Sequence, residues 1–232
     1  MSEQNQPEKQ EKKPEKKNFQ HHMAVPGKKG IIYTIARGFF WIYFHLFCFM
    51  HCTGREKLNL DAPYIVIANH TSFADPIIAA MLIRRYEVNF LGKIELAKAP
   101  VVGKLLMHLH MIPVDRHHSD MEAMRACLRV TKAGGVLGIF PEGTRNKDVI
   151  PQPFKSGIYH LAKRFPTVEF IPVYLENLSR IMPKGEFWPV PLACTARFGT
   201  PLYLQEGEEK EAFLERARQG VMDACAQKSA SN

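Results

Sequence analysis

Apolar and polar positions alternate in short blocks along most of the chain after residue 60. Runs such as "YIVIAN" at 64–69 and "VLGIF" at 136–140 are continuous and apolar, which is typical of strands buried on both faces of a sheet. Between them lie segments with helical spacing, including 76–84, which begins with a proline. Further helices are predicted at 95–109, 119–133, 156–164 and 210–226, and further strands in "VNFLG", "MIPVD", "EFIPVYL" and "CTARFG". This alternation predicts an α/β fold with a largely parallel mixed sheet flanked by helices.

The run "GIIYTIARGFFWIYFHLFCFMHC" at 30–52 has a different pattern, because it is apolar and aromatic almost throughout. It is nearly long enough to cross a bilayer core of roughly 30 Å. Arg37 and His45 lie inside it, however, and basic residues flank it on both sides, so a simple spanning helix is disfavoured. We expect a helix, broken near Gly38, that lies in one leaflet; a spanning helix and a buried core helix are the alternatives.

Composition divides the chain into four parts. Residues 1–29 are rich in Lys, Glu, Gln and Pro and are predicted to be a disordered tail. Residues 30–56 form the predicted membrane-associating segment, 57–228 the α/β domain, and 229–232 a flexible C-terminus. No signal peptide is expected, because the polar tail precedes the apolar run.

Charge and cysteine content narrow the class of partner. The net charge of +8 and the pI near 9.3 favour an anionic partner, such as a lipid surface or a phosphorylated substrate. No nucleic-acid module accompanies the basic residues, so nucleic acid is not an expected partner. The five cysteines include no CxxC pair, which favours a reducing compartment.

The stretch "NHTSFADP" at 69–76 follows a predicted strand and precedes a predicted helix. Ligand sites in open α/β sheets form at the carboxyl ends of strands, where His70 would lie. Asp75 would then orient one ring nitrogen and leave the other to accept a proton. The alternative is that Asp75 only caps the helix and His70 is structural.

The stretch "FPEGTR" at 140–145 also follows a predicted strand. Arg145 offers a planar fork suited to phosphate oxygens, and Glu142 could accept hydrogen bonds from a polyol. Lys155 adds a further cation nearby in sequence. The alternative is a plain turn with a surface ion pair.

These stretches resemble the conserved blocks of the glycerolipid acyltransferase family, and most closely those of bacterial 1-acyl-sn-glycerol-3-phosphate acyltransferases. "NHTSFADP" is similar to the first block, "GKIEL" with "MIPVDR" to the second, "FPEGTR" to the third and "IPVYL" to the fourth, in the family's order. The resemblance implies catalysis by His70 as general base with Asp75 as its partner. It further implies acceptor binding by Glu142, Gly143, Thr144, Arg145, Lys93 and Arg116.

The resemblance also implies the reaction and its partners. An acyl chain would pass from an acyl thioester, acyl-CoA or acyl-carrier protein, to the sn-2 hydroxyl of a lysophospholipid acceptor, giving phosphatidic acid without a metal or redox cofactor. The enzyme would lie at the lipid bilayer, on the cytoplasmic face of the cell membrane. Two alternatives stay open: the same chemistry on glycerol 3-phosphate, another lysophospholipid or a lyso-aminolipid, and a non-catalytic lipid-binding protein.

Overall fold

A computed structural model describes residues 24, 30–57, 63–83, 87–115, 121–146, 148, 150–182 and 190–226. The strands are β1 His51–Thr53, β2 Tyr64–Ala68, β3 Val88–Lys93, β4 Met111–Val114, β5 Val136–Ile139, β6 Glu169–Glu176 and β7 Thr195–Phe198. The helices are α1 Ile31–Leu46, α2 Asp75–Leu82, α3 Ile94–Lys98, α4 Val102–His108, α5 Met121–Lys132, α6 Gly157–Arg164, α7 Leu178–Ile181 and α8 Lys210–Ala226, with a 3₁₀ turn at Arg55–Lys57.

The seven strands form one sheet in the order β1-β7-β6-β2-β5-β3-β4. The strands β6, β2, β5, β3 and β4 are parallel to one another. The strand β7 pairs antiparallel with β6, and β1 pairs parallel with β7, so both run in the opposite direction. The predicted α/β fold with a largely parallel mixed sheet is therefore confirmed.

Each face of the sheet carries its own apolar core, because successive residues of a strand point to opposite faces. Ile78 and Leu82 of α2 and Phe44 of α1 pack with Val66 and Val88 on the first face. On the second face, α5, α6 and α8 pack on the alternate strand residues, which include Ile65, Ile67, Leu137 and Phe170. Because helices cover both faces, the open edges of the sheet are the two formed by the amino and carboxyl ends of the strands.

The helices α3 and α4 pack on the first face of the sheet. Ile112 of β4 points into the second core. Its neighbour Met111 therefore points to the first face, and it packs with Ala97 of α3 and Met107 of α4. The predicted single helix at 95–109 is thus wrong in one respect: it is two helices, separated at Ala99 and Pro100.

The apolar run at 30–52 is only partly helical. The helix α1 ends at Leu46 and continues unbroken through Gly38, so the predicted break is wrong. The chain then turns, with Phe49 at a φ of 41°, and enters β1, whose residues join the sheet. None of the helices in the described part of the chain combines the length and hydrophobicity that crossing a bilayer requires.

A buried polar cluster attaches the start of α1 to the α/β domain. The Glu87 carboxylate accepts hydrogen bonds from the Gly30 amide at 2.7 Å and from Nε2 of His110 at 2.6 Å. The Tyr33 ring stacks on His110, and its hydroxyl accepts the Val88 amide at 3.0 Å. Burial raises the pKa of Tyr33 to about 12, so its hydroxyl stays neutral. Because Glu87 and His110 directly precede β3 and β4, the cluster lies at the amino edge of the sheet.

The other predicted elements agree with the structure within a few residues. The predicted helix at 210–226 has the bounds of α8, and α5 covers most of the predicted helix at 119–133. The predicted tail at 1–29 lies outside the described residues except for Ala24, as does the C-terminus at 229–232.

Candidate active site

The strands β2 and β5 are neighbours, but the chain leaves them in opposite directions. After β2 it passes through α2 on the first face, and after β5 through α6 on the second. This divergence opens a crevice at the carboxyl ends of the two strands, where ligands bind in open α/β sheets. Both "NHTSFADP" and "FPEGTR" begin there, as the sequence predicted.

Asn69 fixes the chain immediately after β2. Its buried side-chain amide donates to the Leu175 carbonyl at 3.0 Å, and its carbonyl oxygen accepts the Leu175 amide at 2.7 Å. These two hydrogen bonds to β6 fix the backbone that carries His70.

His70 and Asp75 form the predicted pair. Nδ1 of His70 lies 2.8 Å from Oδ2 of Asp75, and the same oxygen accepts the backbone amides of Thr71 at 2.6 Å and Ser72 at 2.8 Å. The Ser72 hydroxyl is occupied structurally, since it donates to the Met182 carbonyl. These bonds all join Asp75 to residues that precede it, and no side chain caps the start of α2, so the interpretation of Asp75 as a helix cap is wrong.

Burial determines the electrostatics of this pair. Asp75 is completely buried, which raises the pKa of its carboxyl group, while the hydrogen bonds from His70, Ser72 and Thr71 act in the opposite direction. Because Asp75 engages Nδ1, the proton on the neutral ring lies there and Nε2 is the acceptor. No other residue in the described part of the chain hydrogen-bonds to the ring, which stacks on Phe140 at a centroid distance of 4.6 Å.

Glu142 has a task that the sequence did not reveal. It is buried, and its two carboxylate oxygens accept the backbone amides of His70 at 2.7 Å and Gln152 at 2.8 Å. Burial raises the pKa of Glu142, and these two bonds oppose that shift. Glu142 therefore ties the His70 loop to the "FPEGTR" loop, and the interpretation of this stretch as a plain turn with a surface ion pair is wrong.

Gly143 allows a cation to approach the loop closely. Its φ is 70°, a left-handed conformation that L side chains rarely adopt, and an added Cβ would lie 2.7 Å from Nζ of Lys155. Lys155 is itself held through its backbone amide, which donates to the Pro141 carbonyl at 2.9 Å. Thr144, the next residue, is exposed at the loop surface.

Arg145 stacks on the loop that carries His70. Its guanidinium carbon lies 3.9 Å from the centre of the Phe73 ring, a cation–π contact. Its Nη1 is buried and has no hydrogen-bond partner among the described residues. A buried guanidinium nitrogen without an acceptor is suited to bind an anionic group.

The remaining predicted residues differ in position. Lys93 ends β3 and is exposed, at the same sheet edge as His70 but separated from β2 by β5. Arg116 lies outside the described residues.

A cavity of about 420 Å³ opens beside His70 on the second face of the sheet. Its polar lining residues are His70, Asp115, Lys155 and Ser156, whereas the rest of its walls are mainly apolar. The wall residues include Leu91, Val114, Met124, Cys127, Ile139 and Leu161. Sequence reasoning did not assign this lining, because the residues come from β3, β4, β5, α5 and α6 and converge only in the fold.

Comparisons with known proteins show the family to which the chain belongs. The model of the family described as Acyltransferase matches residues 49–176, more than half of the chain. The chain is 32% identical over 135 residues to the chloroplastic 1-acyl-sn-glycerol-3-phosphate acyltransferase BAT2 of Brassica napus, covering 57% of this chain and 38% of that protein. It is 29% identical over 110 residues to the 1-acyl-sn-glycerol-3-phosphate acyltransferase of Bacillus subtilis, covering 47% and 54%. The chain spans about half or less of the length of these curated relatives.

A solved structure shares the fold. The crystal structure of the 1-acyl-sn-glycerophosphate (LPA) acyltransferase PlsC from Thermotoga maritima aligns with a TM-score of 0.70 and 24% identity, covering 85% of this chain and 80% of that one.

Proposed function

Because the chain belongs to the acyltransferase family, we propose that it transfers an acyl chain from an acyl thioester to the sn-2 hydroxyl of 1-acyl-sn-glycerol 3-phosphate, forming phosphatidic acid. The observation that carries this proposal is the His70–Asp75 pair, whose ring lines a mainly apolar cavity and whose loop carries Phe73, on which Arg145 stacks with an unpaired Nη1. The donor is acyl-CoA or acyl-carrier protein.

In the proposed reaction His70 transfers one proton. Its Nε2 accepts the proton of the acceptor hydroxyl while the hydroxyl oxygen attacks the thioester carbonyl. Asp75 keeps Nδ1 protonated and stabilises the imidazolium that forms. The C–S bond then breaks, and the leaving thiolate takes the proton back from Nε2. A thiolate is a stable leaving group, so the step requires no metal or redox cofactor.

The acceptor phosphate binds at the "FPEGTR" loop in this proposal. Arg145 supplies the fork and the unpaired Nη1, and Lys155 supplies a second cation above Gly143. Lys93 and Arg116 complete the set implied by the family resemblance. Gly143 and Thr144 present the loop to the glycerol, and Glu142 holds that loop against His70. Anchoring the phosphate here brings the neighbouring hydroxyl to Nε2, where positioning contributes to the rate.

The apolar cavity receives an acyl chain. His70 lines the cavity, and its mainly apolar walls offer hydrocarbon contacts to such a chain. The cavity thereby places the carbonyl end of the chain at the base.

Long-chain substrates reside in membranes, and α1 provides the contact with them. One side of α1 exposes Ile31, Ile35, Phe39, Ile42 and Leu46, spaced three or four residues apart, with Phe49 just beyond the helix. The opposite side packs on the domain through Tyr33 and Phe44. This helix lies in one leaflet at the cytoplasmic face of the cell membrane, with its exposed row among the acyl chains.

The decisive experiment measures thiol release and phosphatidic acid formation by purified protein in detergent. The substrates are 1-acyl-sn-glycerol 3-phosphate with acyl-CoA or with acyl-carrier protein. We expect product with the native chain and its loss in His70→Ala. Absence of turnover on every donor, with lipid binding unaffected by His70→Ala, would instead support a non-catalytic lipid-binding protein.

An acceptor panel tests the substrate within the same chemistry. It contains glycerol 3-phosphate, other lysophospholipids and a lyso-aminolipid, each assayed with the native chain and Arg145→Ala. We expect Arg145→Ala to lose activity only on acceptors that carry a phosphate monoester. Equal loss on the lyso-aminolipid would argue for another acceptor.

A further inference from the structure

A second apolar surface lies on the corner between α3 and α4, remote from α1 in sequence. Val101, Val102 and Leu105 are 78%, 52% and 46% exposed. We call these three residues, together with the exposed Lys98 and Lys104, the corner patch. Exposed aliphatic side chains grouped in this way mark an interaction surface.

The helices α3 and α4 pack closely at this corner. An added Cβ at Gly103 would lie 2.3 Å from the Ala97 carbonyl oxygen, so the two helices are in direct backbone contact. Met107 and Met111 pack beneath them. The three exposed apolar side chains therefore lie on a closely packed pair of helices. Gly103 permits the close contact between α3 and α4.

The charge of the corner favours an anionic partner. Within residues 93–110 the lysines are Lys93, Lys98 and Lys104, and the only acid is Glu95. No ion pair of Lys98 or Lys104 with another described residue is found. Aliphatic groups flanked by free lysines fit the interface of an anionic bilayer, in which the apolar side chains enter and the ammonium groups stay at the phosphates.

Its position relates the corner to both α1 and the active site. The helices α3 and α4 share the first face with α1, and Tyr33 of α1 stacks on His110 just after α4. The corner follows β3 and thus lies at the carboxyl edge of the sheet. The far end of α1 reaches that same edge beyond β6, where the Cys194 amide donates to the Cys48 carbonyl. The crevice between β2 and β5 lies between these two places.

We infer that the corner patch is a second membrane contact that binds anionic lipid. With the far end of α1 it contacts the bilayer on both sides of the crevice, at the carboxyl edge of the sheet. The inference rests on the proposed membrane association through α1, but it concerns a different surface and is measurable without catalysis.

The test compares full-chain variants in vesicle flotation. Lys98→Gln/Lys104→Gln is measured against Lys132→Gln/Lys163→Gln, whose exposed lysines lie on the second face towards the amino edge. We expect the corner variant to bind phosphatidylglycerol-containing vesicles roughly tenfold more weakly at low salt, because each lysine near an anionic surface contributes measurably. Binding to pure phosphatidylcholine should be unchanged, and the control variant should bind both as the native chain does. Equal losses in the two double variants would overturn the inference, since binding would then follow total charge.

A second variant tests the apolar component. Val101→Ser/Val102→Ser/Leu105→Ser should bind both kinds of vesicle more weakly, with unaltered turnover of a short-chain lysophosphatidate below its micellar concentration. The control is Tyr203→Ser, an exposed side chain that contacts Glu169 at the amino edge. Unchanged vesicle binding of the triple variant contradicts the inference. So does a loss confined to turnover with acyl-carrier protein, which would identify the corner as a docking surface for that acidic protein. Absence of turnover in every variant would reject the proposed function and leave the flotation result valid.

Discussion

Two histidine–carboxylate pairs lie at opposite edges of the same sheet. At the carboxyl edge, Nδ1 of His70 is 2.8 Å from Asp75, and the ring borders a cavity. At the amino edge, Nε2 of His110 is 2.6 Å from Glu87, and the ring stacks on Tyr33 and is almost fully buried. Both pairs join an imidazole nitrogen to a carboxylate oxygen, and the two hydrogen bonds are of similar length.

The difference lies in what surrounds each pair. The His70 ring offers Nε2 to a space that a substrate can enter, whereas the His110 ring lies among α1, α4 and the start of β3. Glu87 also accepts the amide that precedes α1, so that pair joins elements of the fold. A histidine bonded to a carboxylate is therefore weak evidence of catalysis until its second nitrogen is shown to face a ligand site.

Removing each histidine separates the two roles most strongly. We expect His70→Ala to lower kcat by roughly 10³- to 10⁴-fold, because the general base is lost, with little change in the unfolding midpoint. His110→Ala should do the reverse, lowering the midpoint while kcat stays near native. Thiol release and thermal unfolding measure the two effects. A large loss of kcat in a folded His110→Ala would remove the distinction.

Asp75→Asn tests the partner rather than the base. We expect kcat to fall by roughly 10²- to 10³-fold, because an amide favours the wrong tautomer of His70. Stability at neutral pH should not fall, since the variant avoids burying a charged carboxylate.

The pH dependence of Asp75 has a definite sign. The folded-state pKa of Asp75 is raised, so the folded chain binds this proton more tightly than the unfolded chain. Its contribution to stability therefore decreases as pH rises from the unfolded value of about 3.9 to the raised pKa. Denaturant unfolding across that interval should show native stability falling relative to Asp75→Asn. A native stability that rises relative to Asp75→Asn with increasing pH would contradict the assignment.

Arg145→Lys tests the proposed anion site on the "FPEGTR" loop. We expect the KM for the phosphate-bearing acceptor to rise roughly 10- to 100-fold, because lysine lacks the planar fork and the stacking on Phe73. The KM for the acyl donor should change little. The matched control is Arg164→Lys, exposed at the C-terminal end of α6, which should leave both values unchanged.

Glu87→Gln should have the smallest effect on catalysis. The hydrogen bond to His110 loses its charge, so we expect stability to decrease by about 1–2 kcal/mol. Turnover of a soluble acceptor should be native. Chemical denaturation and steady-state assays measure the two quantities, and a normal unfolding midpoint would show that the buried cluster contributes little.

Sequence patterns predicted the sheet and the position of the site well. The strands after residue 60 and the amphipathic α8 have periodicities that allow few alternatives. His70 and the "FPEGTR" loop were correctly placed at strand ends, because that placement follows from chain order. The comparisons support the family resemblance, whereas the roles of individual residues stay predictions.

Other features depend on contacts that periodicity does not encode. The run at 30–52 is apolar in both its helix and its strand, so its composition does not mark the change after Leu46. The bonds of Glu142 to His70 and Gln152, and the stacking of Arg145 on Phe73, join residues from separate parts of the chain. Lys155 was noted only as a nearby cation, and its position above Gly143 required the fold.

The amide of Asn69 imitates a peptide unit, with one donor and one acceptor directed at Leu175. The Asn69 side chain thus extends the hydrogen bonding between β2 and β6 by one residue, and His70 is the first residue beyond it. The backbone position of His70 thus follows from the sheet, whereas its ring is oriented by Asp75 in the loop that follows. Surface loops of this molecule can diverge in length and sequence while His70 keeps its position, and an inserted residue between Ala68 and His70 would be far more damaging than one in any outer turn.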